Sequence, residues 1–376
     1  MRERAVKLKD VAEAANISMA AVSRILRGHK AEDFNVDTQK RVLEAAERLG
    51  WRPNLLVQGL QTGQTGTLGV FVAPFNTHWT GVLYGIHDTI LKADRVPLVL
   101  WPHALVHPTL DHDLSEEGHA QLAYQRVGRS PTDGDSGADL GGRREEERLL
   151  RMIDRRVDAV VSWPLFEPEA IQRMVSLSER GWPIVTIDDQ LPTPATSSMV
   201  TVDEAEGLRQ IAEHLAERGH RYVLYVGLER PHAWSHRRHR GFLDHVPGAT
   251  PRHAMQVDTT GQKERGPIAE FLKQHPEATA VVAASDLLAL QVIEVARGLG
   301  YDVPSRLSVI GYGNQVFDTV SVPLTTVEQN PYQIGTLAAQ LAMGEAESSE
   351  TGRRSIREIK PTLVVRDSTA TVSVPA

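Results

Sequence analysis

Apolar positions along this chain follow two different periods. Near the N-terminus they recur at helical spacing in short segments. Leu8, Val11, Ala12 and Ala15 fall at i, i+3, i+4 and i+7, one face of a helix. The stretch "AANIS" then supplies a tight turn, and Ser18 is placed to cap a second helix from about Met19 to Leu26. That helix turns Val22, Ile25 and Leu26 inward and leaves Met19, Ala20, Ser23 and Arg24 outward. A third helix is predicted through "TQKRVLEAAERLG", with Asp37 as its N-cap, Val42, Leu43, Ala46 and Leu49 inward, and Gly50 as its stop. Three short helices around one small core make a helix-turn-helix, whose second helix offers side chains to the major groove of DNA. The same pattern suits a small helical bundle that docks proteins.

From Leu68 the period changes. "TLGVFVAP", "VPLVLWP", "VDAVVSWP" and "WPIVTID" are continuous apolar runs with helical stretches between them, and "YVLYVG", "TAVVAAS", "LSVIGYG" and "PLTTVEQ" continue the series. Such runs predict parallel strands covered on both faces. Their number is enough for two doubly wound subdomains with a boundary near residues 188–202, and with further crossings after Gly311 and near Lys360. The expected organisation is an all-α helix-turn-helix headpiece (1–53), a linker (54–66), and an α/β core of two doubly wound parallel-sheet subdomains (67–376). Residues 102–142 fit no βα unit and read as a mobile insert, rich in Gly, Asp and Ser towards its end.

The linker "RPNLLVQGLQTGQTG" carries its own signal. Pro53 biases Arg52 away from helix, and Asn54 can cap a short helix from Leu55 to about Leu60. A segment this far below the roughly 12–15 residues of an independently stable helix folds only against a partner. A plain tether would have a similar composition.

Charge then separates the parts. The chain of 376 residues has a net charge of −7, yet residues 1–62 hold 11 Lys and Arg against 8 Asp and Glu. A basic head on an acidic body implies that the head alone meets a polyanion. The chain has no cysteine, which excludes disulfides and thiolate metal sites and fits a reducing compartment. No apolar run reaches the roughly 20 residues of a membrane span, and "MRERAVKLKD" has no apolar core of a signal peptide. A cytoplasmic, nucleoid-associated protein without a membrane role is expected.

Ligands of open α/β sheets bind beyond the carboxyl ends of the strands, so a cleft between the subdomains is the expected small-molecule site. Strand ends nominate His78, Trp79, Ser162, Trp163, Asp188, Trp234, Arg238, Ser285 and Asn314, with Gly313 beside the last. Three tryptophans among them suit carbohydrate, because an aromatic face covers the C–H face of a sugar ring; Trp79 and Trp163 equally suit core filling. Asp286 fits the cap of a following helix. His103, His107, His112 and His119 share the insert without metal-ligand spacing, and "HAWSHRRHR" reads as a basic pocket rim. No metal and no cofactor is expected. No nucleophile–base set, glycine-rich phosphate loop or HExxH pattern is present, so an enzyme is not expected.

The segments "LKDVAEAANIS", "AVSRIL" and "VDTQKRVLEAAERLGWRPN" resemble the DNA-binding headpiece of the LacI/GalR repressor family. "RHRGF", "ASDLLALQVIEVARGLGYDVPSRLSVIGYGN" and "PLTTVEQNPYQIG" resemble that family's effector-binding core, which is similar to type I periplasmic binding proteins. The resemblance spans about residues 6–368, apart from the insert. It implies a homodimer on a pseudo-palindromic double-stranded DNA operator, controlled by a small-molecule effector, with carbohydrate the expected class. It places Ser18, Met19, Ala20, Ser23 and Arg24 on the DNA, and Asn54, Val57 and Leu60 in a hinge helix whose leucine wedges into the minor groove. It also assigns Arg238 to ligand hydroxyls or carboxylates. Ala21 replaces a common Thr, the loop "RGHKAEDFN" is longer than usual, and Gly313 replaces an Asp that grips ligand. A sugar-binding protein without a DNA role would share the core but would lack the headpiece.

Overall fold

The computed structural model describes residues 6–26, 31–52, 59, 63–72, 77–100, 142–163, 168–188, 197–228, 233–257, 265–315, 322–347 and 355–372. Asn54, Val57 and Leu60 of the expected hinge, and 102–141 of the expected insert, lie outside these. The chain divides into two compact units, Met1–Thr65 and Gly66–Ala376.

In the first unit, helices α1 (Leu8–Ala15), α2 (Met19–Leu26) and α3 (Val36–Leu49) enclose one core of Val11, Ala12, Val22, Ile25, Val42 and Ala46. The turn between α1 and α2 is made by Asn16 in the left-handed region at φ 54°, a conformation its short polar side chain tolerates. Two sequence expectations are corrected. The cap of α3 is Asn35, whose side chain accepts the Thr38 N–H at 2.7 Å, and Asp37 is already inside the helix. Leu43 is 55% exposed, and Ala45 takes the inward place expected of it. The inward stripe is Val42, Ala45, Ala46 and Leu49, and Leu43 stands about 100° off it.

The second unit holds two lobes. In the first, strands β1 (Thr67–Phe71), β2 (Val96–Val99), β3 (Ala159–Ser162), β4 (Ile184–Ile187), β5 (Ser198–Val202) and β11 (Ile356–Ile359) form a parallel sheet ordered β11-β5-β4-β3-β1-β2. Alternate residues serve alternate faces. Leu68, Val70 and Val161 pack under helices Thr77–Lys92 and Pro331–Glu347, while Phe71 and Val160 meet Leu149, Met152 and Met174 of the opposite helices. This two-sided cover is why the strands read as unbroken apolar runs. The two edge strands are exceptions: β2 leaves Val96 and Val99 exposed, against the expectation of cover on both faces, and β11 leaves Ile356 exposed.

In the second lobe, β6 (Val223–Leu228), β7 (Ala254–Val257), β8 (Ala280–Ala283) and β9 (Ser308–Ile310) form a parallel sheet ordered β7-β6-β8-β9. β10 (Thr326–Glu328) and β12 (Thr362–Val364) pair antiparallel beside it. The chain passes between lobes three times. It leaves the first at Asp203, returns after Glu328 into helix Pro331–Glu347, and leaves again at Lys360. Side chains tie the crossings together: Asn330 Nδ2 donates to the Lys360 carbonyl at 3.0 Å, and Gln210 Nε2 donates to that of Pro361 at 3.1 Å. No helix among the described residues is long and apolar enough to cross a membrane.

Candidate functional site

Two surfaces carry the candidate residues. On the first unit, Ser18 Oγ accepts the Ala21 N–H at 3.3 Å and fixes the start of α2. Beyond that cap, Met19 (53% exposed), Ala20 and Arg24 face solvent, Ser23 is half-buried, and Ala21, Val22 and Ile25 hold the opposite face inward. The helix is thus anchored by its apolar stripe and presents a face with one guanidinium and little other hydrogen-bonding capacity.

The second surface is a cleft of about 620 Å³, its open mouth included, walled by both lobes of the core. The first lobe contributes His78, Trp79, Trp163 and Asp188, and the second contributes Trp234, Arg238 and Ser285. Each sits just beyond the carboxyl end of a strand or in the first turns of the helix that follows, where a parallel sheet leaves its loops free. Trp79 and Trp163 meet at 4.3 Å between ring centroids, tilted by 44°. His78 stands edge-on to Trp79 at 5.1 Å.

Two of the nominated residues lie elsewhere. Ser162 is fully buried, and its hydroxyl donates to the Trp163 carbonyl at 2.8 Å instead of facing the cleft. Asn314 is spent on structure: Nδ2 donates to Glu328 at 2.5 Å and Oδ1 accepts Arg366 at 2.7 Å. Its neighbour Gln315 lines the cleft in its place, with Thr201, Tyr312 and Gln329. Gln329 follows β10 at a lobe crossing, and that position was the available sequence signal for it. The cap of helix Asp286–Gly298 is Ser285, whose hydroxyl accepts the Leu288 N–H, so Asp286 is not the cap. The buried Asp286 carboxylate instead accepts from Thr326 Oγ1 and the Gln315 N–H, both at 2.5 Å. Burial raises its pKa, with those two hydrogen bonds working against the rise.

Arg238 is the most constrained group. Its Nε and Nη2 each donate to the Glu204 carboxylate at 2.9 Å, and Nη1 donates to the Ala284 carbonyl at 2.7 Å. The guanidinium carbon lies 4.5 Å from the Trp234 ring centre and 3.8 Å from that of Tyr312. Burial opposes its charge, but Glu204 more than compensates and the pKa ends above the ordinary value. The bidentate edge that ligand recognition would use is already occupied. Arg237, one residue earlier, reaches across the cleft to Asp188 and to Thr201 Oγ1 at 3.1 Å. Asp188 meets it from a left-handed backbone at φ 66°.

Burial, followed by the positive charge of Arg238, drives the His78 pKa down to about 4, with Asp188 opposing weakly. A folded-state pKa below the unfolded value of about 6.5 means that only the unfolded chain takes up this proton as the pH falls. Stability is therefore unaffected above pH 6.5 and is lost between pH 6.5 and 4, by roughly 3 kcal/mol for His78. His214, also depressed to about 4 chiefly by burial, acts in the same direction. Urea unfolding at pH 7 and pH 4.5 measures the loss, and His78→Phe should abolish the His78 share of it.

Comparison with known proteins adds the following. Residues 7–54 match the DNA-binding domain model of bacterial regulatory proteins of the lacI family, and residues 212–369 match a periplasmic binding protein-like domain. Catabolite control protein A of Priestia megaterium is 26% identical over 371 residues, covering 97% of this chain and 99% of that protein. Among solved structures, the lac repressor dimer bound to operator and the anti-inducer ONPF superposes with a TM-score of 0.70 at 20% identity, covering 98% of this chain and 100% of that one. A complex of the transcriptional regulator CelR with cellobiose superposes at 0.63 and 23% identity, covering 96% and 99%. At these identities the structural likeness establishes a shared fold.

Proposed function

This chain is a transcriptional regulator of the lacI family, and from that premise we propose that it is a dimeric repressor whose hold on a two-fold operator is set by a small carbohydrate bound in the core cleft. The observation that carries the effector half is the cleft itself: its walls come from both lobes, and three tryptophans line it. A ligand there touches both lobes and fixes the angle between them. In a dimer that angle sets the spacing of the two linker segments, and hence whether both, with Asn54, Val57 and Leu60, can enter one minor groove. The lac repressor and CelR structures, solved with operator and anti-inducer and with cellobiose respectively, support the reading.

The DNA half rests on α2. Selection from a random duplex library should recover a two-fold symmetric site read by Met19, Ala20 and Arg24, and affinity should fall steeply with salt as phosphate contacts release counterions. Arg24→Ala should cost about 1–3 kcal/mol of operator affinity and relax the preference at one base pair of each half-site. Fluorescence anisotropy on the selected duplex and its single-base variants reads both effects. Recovery of no symmetric sequence would overturn the operator proposal. Coupling must be reciprocal: an effector that weakens operator binding tenfold is itself bound tenfold more weakly on operator.

A further inference from the structure

Three chain entries meet at the amino ends of the first lobe's strands, the opposite end of that sheet from the cleft. The two compact units part between Thr65 and Gly66, so Gly66 is the first residue of the core and leads directly into β1. Arg95 precedes β2, and Asp158 precedes β3. The Asp158 side chain is 4% exposed; its Oδ2 accepts the Gly66 N–H at 2.8 Å and pairs with Arg95 Nη1 at 3.8 Å. On the other side the Gly66 carbonyl accepts the Val96 N–H at 2.9 Å, and the Thr67 carbonyl accepts the Asp158 N–H at 2.7 Å.

The register pairs Thr67 with Val96 and Leu68 with Ala159, so Gly66 lies one step ahead of both ladders. Asp158 there replaces a main-chain acceptor with a carboxylate, and such a charge-assisted bond is about twice as strong as a neutral one. A carboxylate this buried is costly unless matched, and Arg95, itself 13% exposed, matches it. Gly66 is thereby held at its donor and its acceptor in the left-handed region, at φ 69°. A Cβ there would meet nothing within 4 Å, so the backbone conformation and not crowding calls for glycine. The neighbours that hold it are themselves braced: the Arg95 N–H donates to the Ile90 carbonyl of helix Thr77–Lys92, and the Val157 N–H to the Met152 carbonyl of helix Gly142–Asp154. A residue has two soft dihedrals, and fixing them fixes the heading of the chain that precedes it.

We propose that Asp158 is a positioning residue for operator binding: its clamp on Gly66 sets the heading on which the linker leaves the core, and with it the half-site spacing that two subunits reach. This rests on the chain binding a two-fold operator. Fluorescence anisotropy with the full chain tests it, on the duplex selected from a random library and on duplexes with one base pair added or removed between the half-sites. Arg95→Met with Asp158→Ala removes the clamp and leaves no buried charge without its partner. Its affinity for the selected duplex should fall about tenfold, the scale of ordering one freed backbone residue anew on binding. The penalty for altered spacing should shrink by about the same factor, and base preference within each half-site should not change. Asp158→Asn keeps an acceptor for the Gly66 N–H and should retain both the affinity and the spacing penalty. One glycine inserted between Thr65 and Gly66 leaves the clamp intact but adds a free pivot beyond it. That insertion should flatten the spacing penalty without lowering the melting temperature of the core. An unchanged spacing penalty in the double variant, whatever its melting temperature, makes Asp158 a part of the core's stability alone and overturns the proposal. Loss of the penalty in Asp158→Asn, or its survival after the insertion, overturns it too. A chain that selects no two-fold site removes premise and inference together; a two-fold site bound alike by all variants removes only the inference.

Discussion

Arg238→Ala should destabilise the core by about 3–5 kcal/mol, because it leaves the Glu204 carboxylate buried without its cation. Glu204 is 2% exposed, and two of its hydrogen bonds come from this one guanidinium. The substitution also removes the donor to the Ala284 carbonyl and the cation between Trp234 and Tyr312. For a chain of this size the melting temperature should fall by roughly 6–10 °C. Glu204→Gln with Arg238→Met replaces the pair by uncharged groups of similar volume and should recover most of the loss. Differential scanning calorimetry of the two variants decides the matter. A melting temperature near that of the unsubstituted protein in Arg238→Ala would show that this arginine serves the ligand and not the fold. Loss of effector response in that variant is not by itself evidence of ligand contact.

Gly85→Ala and Gly335→Ala should each destabilise the first lobe by roughly 3 kcal/mol, as overpacking against backbone that cannot yield. Helices Thr77–Lys92 and Pro331–Glu347 cross at these two glycines. A methyl at Gly85 would collide with the Tyr332 carbonyl and one at Gly335 with the Val82 carbonyl, in both cases main chain. Helix propensity works the other way, since Ala is favoured over Gly by about 1 kcal/mol in a helix interior. The sign of the change therefore isolates the packing. Gly344, near the end of the same second helix, has nothing within 4 Å of a would-be Cβ, so Gly344→Ala should be neutral or stabilising. Urea unfolding of the three variants reads the contrast. Stabilisation by Gly85→Ala would mean that the helices do not approach this closely. The crossing matters for function because the second helix carries the chain back from the other lobe, beginning two residues after Gln329 of the cleft.

What could be read from the chain alone were features set by neighbours a few residues away. The stripe Leu8, Val11, Ala12 and Ala15, the hydroxyl of Ser18 at the start of α2 and the stop at Gly50 are short-range, and so is the outward face of Met19, Ala20 and Arg24. The apolar runs of β1, β3, β4, β6, β8 and β9 were legible because burial on both faces leaves no polar alternation. β5, β7, β11 and β12 were not, since their Ser, Thr, Gln, Arg and Glu positions break the run, and pairing with distant partners makes them strands. The same division holds at the cleft. Trp79, Trp163, Trp234 and His78 were nominated by their place at strand ends, a rule of the fold class. Only the tertiary structure decided that Arg238 is engaged by Glu204, 34 residues away, that Arg237 spans the lobes to Asp188, and that Asn314 turns to Glu328 and Arg366 while Gln315 faces the cleft. Hydrophobic period is a property of consecutive residues. The partner of a buried charge depends on which segments the sheets bring together, and no local pattern records that.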